Sequence, residues 1–257
     1  MGSQTRVAAR GLIAYTEAMN ELAQATFDRS IANNRYPGRG LVVGCNGDGA
    51  FTLIYWIMGR SEHSRNRQFV AHGGVLRTQA FDPSLVVDPS LIIYEAMLEQ
   101  PGIQLVSNGD QTRTLFEALS RGESFESALA TRAHEPDAPH YTPRISGLLD
   151  VRPGQVRLVL SILRANPHDP RLTDRTFFQL GEPALGIGRG ITTYAGDGNP
   201  LPSFSGEPLV LPCEGRGRDI LERYWSALDA DNRIALAVKT VAPDGSCREL
   251  LVKNRFD

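Results

Sequence analysis

Two strongly apolar runs, Leu41-Val42-Val43 and Phe51-Thr52-Leu53-Ile54-Tyr55-Trp56-Ile57, flank the turn Asn46-Gly47-Asp48-Gly49, and this pairing restricts the fold more than any other feature of the chain. Asn-Gly and Asp-Gly steps adopt the positive φ angles of tight turns, and β-branched and aromatic residues on both sides make the segment a hairpin. Gln68-Phe69-Val70-Ala71 continues as a third strand, and residues 103–106 read as a short strand that ends at Asn108-Gly109. Residues 145–149 and 156–163 pair across Pro153-Gly154, and residues 233–241 pair with 249–253 across Pro243-Asp244-Gly245. Hairpins in such runs build antiparallel sheets, because a parallel pair needs a long crossover between its strands.

Helical patterns stand apart from these hairpins. Residues 6–33 are rich in Ala, Leu, Met and Glu, with Leu12, Tyr15, Met19 and Leu22 at helical spacing. Residues 90–98 read as a helix with Pro89 near its start, residues 110–130 as two helices split at Arg121-Gly122, and residues 219–228 as another. The proline-rich stretches 134–143, 166–176 and 199–208 read as loops. Strict strand–helix alternation is missing, so the expected class is α+β with mostly antiparallel sheets. No linker or repeat divides the chain, and the expectation is one domain over residues 1–257, with residues 1–35 as a helical N-terminal extension.

Bulk properties narrow the function. A net charge of −2, with basic residues dispersed, argues against a nucleic-acid or anionic-membrane surface. No apolar run reaches the roughly 18–20 residues that span a bilayer, and the N-terminus has no basic segment leading into an apolar one. Three widely spaced cysteines, Cys45, Cys213 and Cys247, show neither a disulfide framework nor zinc-binding spacing. A cytoplasmic protein is the expectation.

Four polar clusters sit where strands or helices should end: Tyr36-Pro37-Gly38-Arg39-Gly40, Gly59-Arg60-Ser61 running to Ser64-Arg65-Asn66-Arg67, Ser107-Asn108-Gly109-Asp110-Gln111-Thr112, and Tyr141-Thr142-Pro143-Arg144-Ile145. Guanidinium groups bind phosphate bidentately, and glycine lets backbone N–H groups approach it, so the four together point to a pocket for a phosphorylated small molecule. Taken singly, each has a plainer reading. The Arg60–Arg67 loop is equally a solvated basic loop, and Asn108-Gly109-Asp110 is equally a capped helix start. Gly186-Ile187-Gly188-Arg189-Gly190 lacks the Lys-Ser/Thr ending of a phosphate loop and reads as a structural turn. His63, His72, His134, His140 and His168 have no metal-ligand spacing and read as surface-loop histidines, although His63 lies within the arginine cluster and His134 beside Glu135. Cys45 has no base partner in sequence and reads as a buried thiol.

In this order the clusters, together with residues 89–94 and Ile191-Thr192-Thr193-Tyr194, resemble the archaeal-type IMP cyclohydrolase family over roughly residues 36–205. The resemblance implies a four-layer αββα sandwich similar to the N-terminal-nucleophile hydrolases, without their N-terminal nucleophile. It implies conversion of formamidoimidazole-carboxamide ribonucleotide to IMP and water, with no metal and no cofactor. By the same resemblance Arg67 stabilises the formyl oxygen, Tyr94 donates a proton, and Glu135 orients or deprotonates the carboxamide. Arg39, Arg60 and Arg144 contact phosphate or base, Asn66, Asn108 and Thr112 support them, and Tyr36, Gly38, Ser61, Gly109 and Thr142 complete the binding set. The expected partner is a purine ribonucleotide, and the expected assembly is a homo-oligomer. The segment before Tyr36, a slightly longer Arg60–Arg67 loop and the region beyond Ser205 depart from the family pattern. A non-catalytic purine-nucleotide binder on the same fold is the alternative. An amide hydrolase would need a nucleophile that the sequence does not supply.

Overall fold

The computed structural model describes residues 2–86, 89, 92–154 and 156–257, with the side chains of residues 2–14 outside the description. In chain order α1 (Gly2–Phe27) passes through a wider π-type turn at Asp28–Ala32 into β1 (Gly40–Cys45) and β2 (Phe51–Met58). There follow α2 (Glu62–Arg65), β3 (Gln68–His72), β4 (Val75–Gln79), β5 (Glu95–Gln100) and β6 (Ile103–Ser107). Next come α3 (Gln111–Ser120), α4 (Phe125–Ala130), β7 (Arg144–Asp150), β8 (Arg157–Ala165), β9 (Thr173–Leu180) and β10 (Ile187–Thr192). The chain ends with β11 (Leu209–Pro212), α5 (Gly217–Ala227), β12 (Arg233–Val241) and β13 (Cys247–Asn254).

Among the described residues the strands form two sheets, ordered β11-β10-β1-β2-β12-β13 and β3-β4-β5-β6-β7-β8-β9, and every pairing within them is antiparallel. Side-chain alternation explains how they stack. Leu41, Val43, Leu53, Tyr55 and Ile57 point between the sheets, against Val106, Ile145, Leu149, Leu158 and Leu160 of the second sheet. Their neighbours Val42, Ile54, Trp56 and Met58 point outward against Phe27, Ile31, Ile220 and Tyr224 of the N-terminal helical segment and α5. On the other side Leu105, Leu148 and Val159 pack under Leu115, Phe125 and Leu129 of α3 and α4. The result is an αββα sandwich of α+β class, as expected. β1 and β2 are buried on both faces, which is why they read as unbroken apolar runs rather than alternating ones. Each fully buried Leu, Ile or Val contributes about 1.5–3 kcal/mol.

Three expectations need correction. The helix placed at residues 90–98 is not formed where it is described: residues 92–94 are turn and coil leading into β5 at Glu95–Gln100, and positions 90 and 91 lie outside the described residues. Glu, Ala, Met and Leu favour helices locally, but pairing with β4 and β6 and burial of Ala96, Met97 and Leu98 override that preference. Of the glycine-rich stretch after Leu185 only Gly186 is a turn residue, with φ +75°; from Ile187 onward it is the start of β10. A Cβ on Gly188 would stand 2.6 Å from Val42 Cγ1 and 2.7 Å from Cys213 Sγ, so glycine permits this close packing. Tyr15 and Leu22 are exposed rather than part of a buried stripe, because α1 meets the sheet through Ala23, Thr26 and Phe27. Leu12 lies outside the described side chains.

The inner layer also holds a charge. Lys239 of β12 is fully buried and bonds Glu99 and the Gly74 carbonyl. The registers bring the start of β1, the ends of β2, β10 and β6, and the start of β7 to one end of the sandwich. The cleft lies at that end.

Candidate functional site

Gly38 precedes β1 with φ +71°, and a Cβ there would stand 2.3 Å from Thr193 Oγ1 and 2.5 Å from the Tyr194 ring. That close fit locks the entry strand onto the segment after β10. The Tyr194 N–H donates to the Pro37 carbonyl at 3.2 Å, the Thr193 N–H to the Arg39 carbonyl at 2.8 Å, and the Arg39 N–H to Thr193 Oγ1 at 3.1 Å. The Arg39 side chain is thereby sent inward, where one Nη donates to Glu135 Oε2 at 2.9 Å and the other to the Asn108 carbonyl at 3.0 Å. Glu135 is 4% exposed; burial pushes its carboxyl above the ordinary glutamate value, with Arg39 pulling the other way.

The loop carrying Glu135 is fastened at both ends. The Glu135 N–H donates to the Thr142 carbonyl at 2.9 Å, and the Thr142 N–H donates to Asp137 Oδ1 at 2.6 Å. Thr142 Oγ1 donates to Asp137 Oδ2 and lies 2.6 Å from the Tyr194 hydroxyl. Nearby, His140 Nδ1 accepts the Leu201 N–H at 3.2 Å. Tyr141 has φ +44°, a left-handed conformation that non-glycine residues seldom adopt.

The opposite wall comes from the end of β2 and the short α2. Ser61 and Ser64 cap one another's backbone N–H groups and hold the loop. Arg67, 5% exposed, donates from Nε to the Ser64 carbonyl at 2.7 Å and from an Nη to the Met58 carbonyl at 3.0 Å. Among the described residues no carboxylate pairs with Arg67. Arg60 lies 4.9 Å over the Tyr36 ring and pairs with Asp197 at the rim. Tyr36 in turn stacks on Tyr194, with centroids 6.0 Å apart.

These two walls enclose a cleft of about 360 Å³, within the range of small-molecule sites. Of the expected residues, Tyr36, Gly38, Arg39, Arg60, Ser61, Arg67, Glu135 and Thr142 line it. Tyr94 lies in the layer between the sheets, its hydroxyl 2.7 Å from that of Tyr55, and both rings are buried. Burial raises the Tyr55 hydroxyl well above its ordinary value.

Other expected residues do not line the cleft. Asn66 exchanges hydrogen bonds with the backbone of Asp82, fastening the loop after β4. Asn108 accepts the Ile145 N–H and donates to the Pro143 carbonyl, so it clamps the start of β7 to the end of β6. Thr112 bonds the Gly109 carbonyl, and Arg144 bonds Asp110 and Gln111. This group stands behind Arg39 and supports it through the Asn108 carbonyl.

Sequence reasoning missed Asp137, His140 and Leu201, and Tyr194 entered it only as part of a matching motif. His63, read as a surface histidine, lines the cleft, whereas His134 turns to Thr173 and Tyr141. The only available signal for His63 was its place within the arginine cluster.

The sequence pattern of the family described as "IMP cyclohydrolase-like protein" matches residues 36–245. The match begins at Tyr36, which leaves α1 outside it. The chain is also 32% identical over 121 residues to the IMP cyclohydrolase of Methanothrix thermoacetophila, an alignment covering 46% of this chain and 59% of that protein.

Proposed function

The chain belongs to the IMP cyclohydrolase-like family, and from that premise we propose that it closes the purine ring of formamidoimidazole-carboxamide ribonucleotide to give IMP and water. The observation that carries this reading is the pairing of walls in the cleft. A buried guanidinium with no carboxylate partner among the described residues, Arg67, shares the cavity with a buried carboxyl of raised proton affinity, Glu135. Ring closure needs both at once.

In the first step the carboxamide nitrogen bonds to the formyl carbon, the formyl C=O π pair moves to oxygen, and the nitrogen loses a proton. Glu135 takes that proton, and Arg67 stabilises the oxygen as its charge grows. Protonation of that oxygen gives a carbinolamine. In the second step the hydroxyl leaves with a proton as water, and the former formamide nitrogen gives up its own proton as the ring C=N bond forms. The family resemblance, and not the cleft lining, makes Tyr94 our proton donor to the departing oxygen; its hydroxyl is held by that of Tyr55. Arg39 holds Glu135 in place, and the cleft supplies the near-attack geometry that a weak amide nucleophile requires. Arg60, Ser61 and His63 at the rim are the proposed phosphate contacts.

The test is an ultraviolet assay of purified protein with formamidoimidazole-carboxamide ribonucleotide, without metal or folate. Formation of IMP above the blank, lost in Arg67→Ala, is the expected result. Tight IMP binding without turnover would instead make this a purine-nucleotide binding protein.

A further inference from the structure

The hydrogen bonds around Thr142 restrict what the Tyr194 hydroxyl can offer a ligand. Its hydroxyl carries one proton, and that proton goes to Asp137 Oδ2, while the Thr142 N–H donates to Asp137 Oδ1. The same oxygen lies 2.6 Å from the Tyr194 hydroxyl. With its proton already committed, Thr142 can only accept from Tyr194, so the phenol proton of Tyr194 points away from the cleft. What Tyr194 offers the cavity is a lone pair. The Tyr194 ring that carries this hydroxyl stacks on Tyr36 and passes so close to Gly38 that a Cβ there would stand 2.5 Å from it.

We propose that Tyr194 is a specificity residue that accepts a hydrogen bond from an N–H or O–H of the bound nucleotide, and that Asp137, acting through Thr142, fixes its polarity. Tyr194 and Thr142 both line the cleft, together with Glu135, Arg60, His63 and Arg67. A ligand anchored by its phosphate on the basic wall turns its sugar hydroxyls or its carboxamide toward Tyr194. A hydrogen-bond acceptor at that position would face another lone pair and be rejected. Burial holds the Tyr194 hydroxyl up at about 12, so the group stays a protonated phenol throughout the neutral range. The inference deepens the cyclohydrolase reading and rests on it for the identity of the nucleotide.

The experiment measures dissociation constants by calorimetry for the full-length wild type, Tyr194→Phe and Thr142→Val. The probes are IMP, its 2′-deoxy and 3′-deoxy forms, aminoimidazole-carboxamide ribonucleotide and the corresponding carboxylate. Tyr194→Phe should weaken IMP and the carboxamide ribonucleotide about tenfold. One analogue lacking the critical donor should bind wild type and Tyr194→Phe equally, and its identity tells a sugar hydroxyl from a carboxamide N–H. Thr142→Val frees the Tyr194 proton and should relax discrimination against that same analogue. Equal weakening of every probe in Tyr194→Phe, or none, would overturn the proposal. Binding that obeys the donor rule without ring closure would leave it standing and defeat the cyclohydrolase reading. Turnover with no donor dependence would do the reverse, and no nucleotide binding at all would overturn both.

Discussion

Arg39 and Glu135 lie 96 residues apart in the chain and meet at 2.9 Å, with both side chains almost wholly buried. A buried pair of this kind is weak support for stability, since desolvation offsets most of the attraction. Here burial outweighs the pull of Arg39 on Glu135, and the carboxyl is left more basic than a free glutamate. Such a group suits proton transfer better than structural pairing.

Glu135→Gln should therefore lower turnover by about 10²–10⁴-fold while IMP binding falls far less. The pH profile of kcat/KM gives the sign. In the proposed mechanism Glu135 acts in its ionised form, so activity should be lost as pH falls through a midpoint above about 4.3, the ordinary glutamate value. Its raised value adds stability that is present below the unfolded pKa and lost as pH rises through the folded one. Thermal melts of wild type and Glu135→Gln across that window check the second sign. An acid limb at or below the free-glutamate value would defeat the assignment.

Arg67→Ala should reduce kcat by about 10²–10³-fold, the usual effect of removing one donor to a developing oxyanion. It should also lower stability by about 1–3 kcal/mol, because the Ser64 and Met58 carbonyls lose their donors. Arg67→Lys should not restore turnover, since a point charge cannot hold both carbonyls and still face the ligand. Kinetics beside denaturant melts separate the two effects, and full activity in the lysine variant would contradict this geometry.

Removal of one hydroxyl from the Tyr55–Tyr94 pair leaves the other buried without its partner. Tyr94→Phe and Tyr55→Phe should each cost about 1–3 kcal/mol, and the double variant less than the sum of the two. Turnover should fall in Tyr94→Phe. Strict additivity in a double-mutant cycle would show that the hydroxyls do not interact, and unchanged turnover would remove Tyr94 as proton donor.

Arg60 and Asp197 are each about a third exposed, with side-chain accessibilities of 34% and 39%, so Asp197→Asn should change stability by no more than about 1 kcal/mol. It should tighten IMP binding, because the ligand phosphate no longer competes with a carboxylate for Arg60. Calorimetry at low and high salt tests this; unchanged affinity at both would mean that the phosphate binds elsewhere.

Much of the architecture is legible in the amino-acid sequence. The hairpin at Asn46–Gly49, the helix pair split at Arg121-Gly122 and the closing strand pair all stand where local pattern placed them. The cleft was legible in part. Arg39, Arg60 and Arg67 were readable as charged positions in turn-rich clusters at element ends, Glu135 entered only through the family resemblance, and the four share one cavity. Asn108 and Arg144 carried the same signal and yet serve as props, because a buried polar residue looks alike in sequence whether it faces a ligand or a neighbouring carbonyl.

The sequence by itself determined turn positions, apolar runs and the supply of guanidinium and carboxyl groups, since these follow from each residue and its near neighbours. Tertiary structure alone decided that residues 95–100 extend as a strand, that Asp137 takes the hydrogen bonds of Thr142, and that the Thr142 hydroxyl meets that of Tyr194. Those outcomes depend on burial and on hydrogen-bond partners from distant segments, and both come into being only when the layers close.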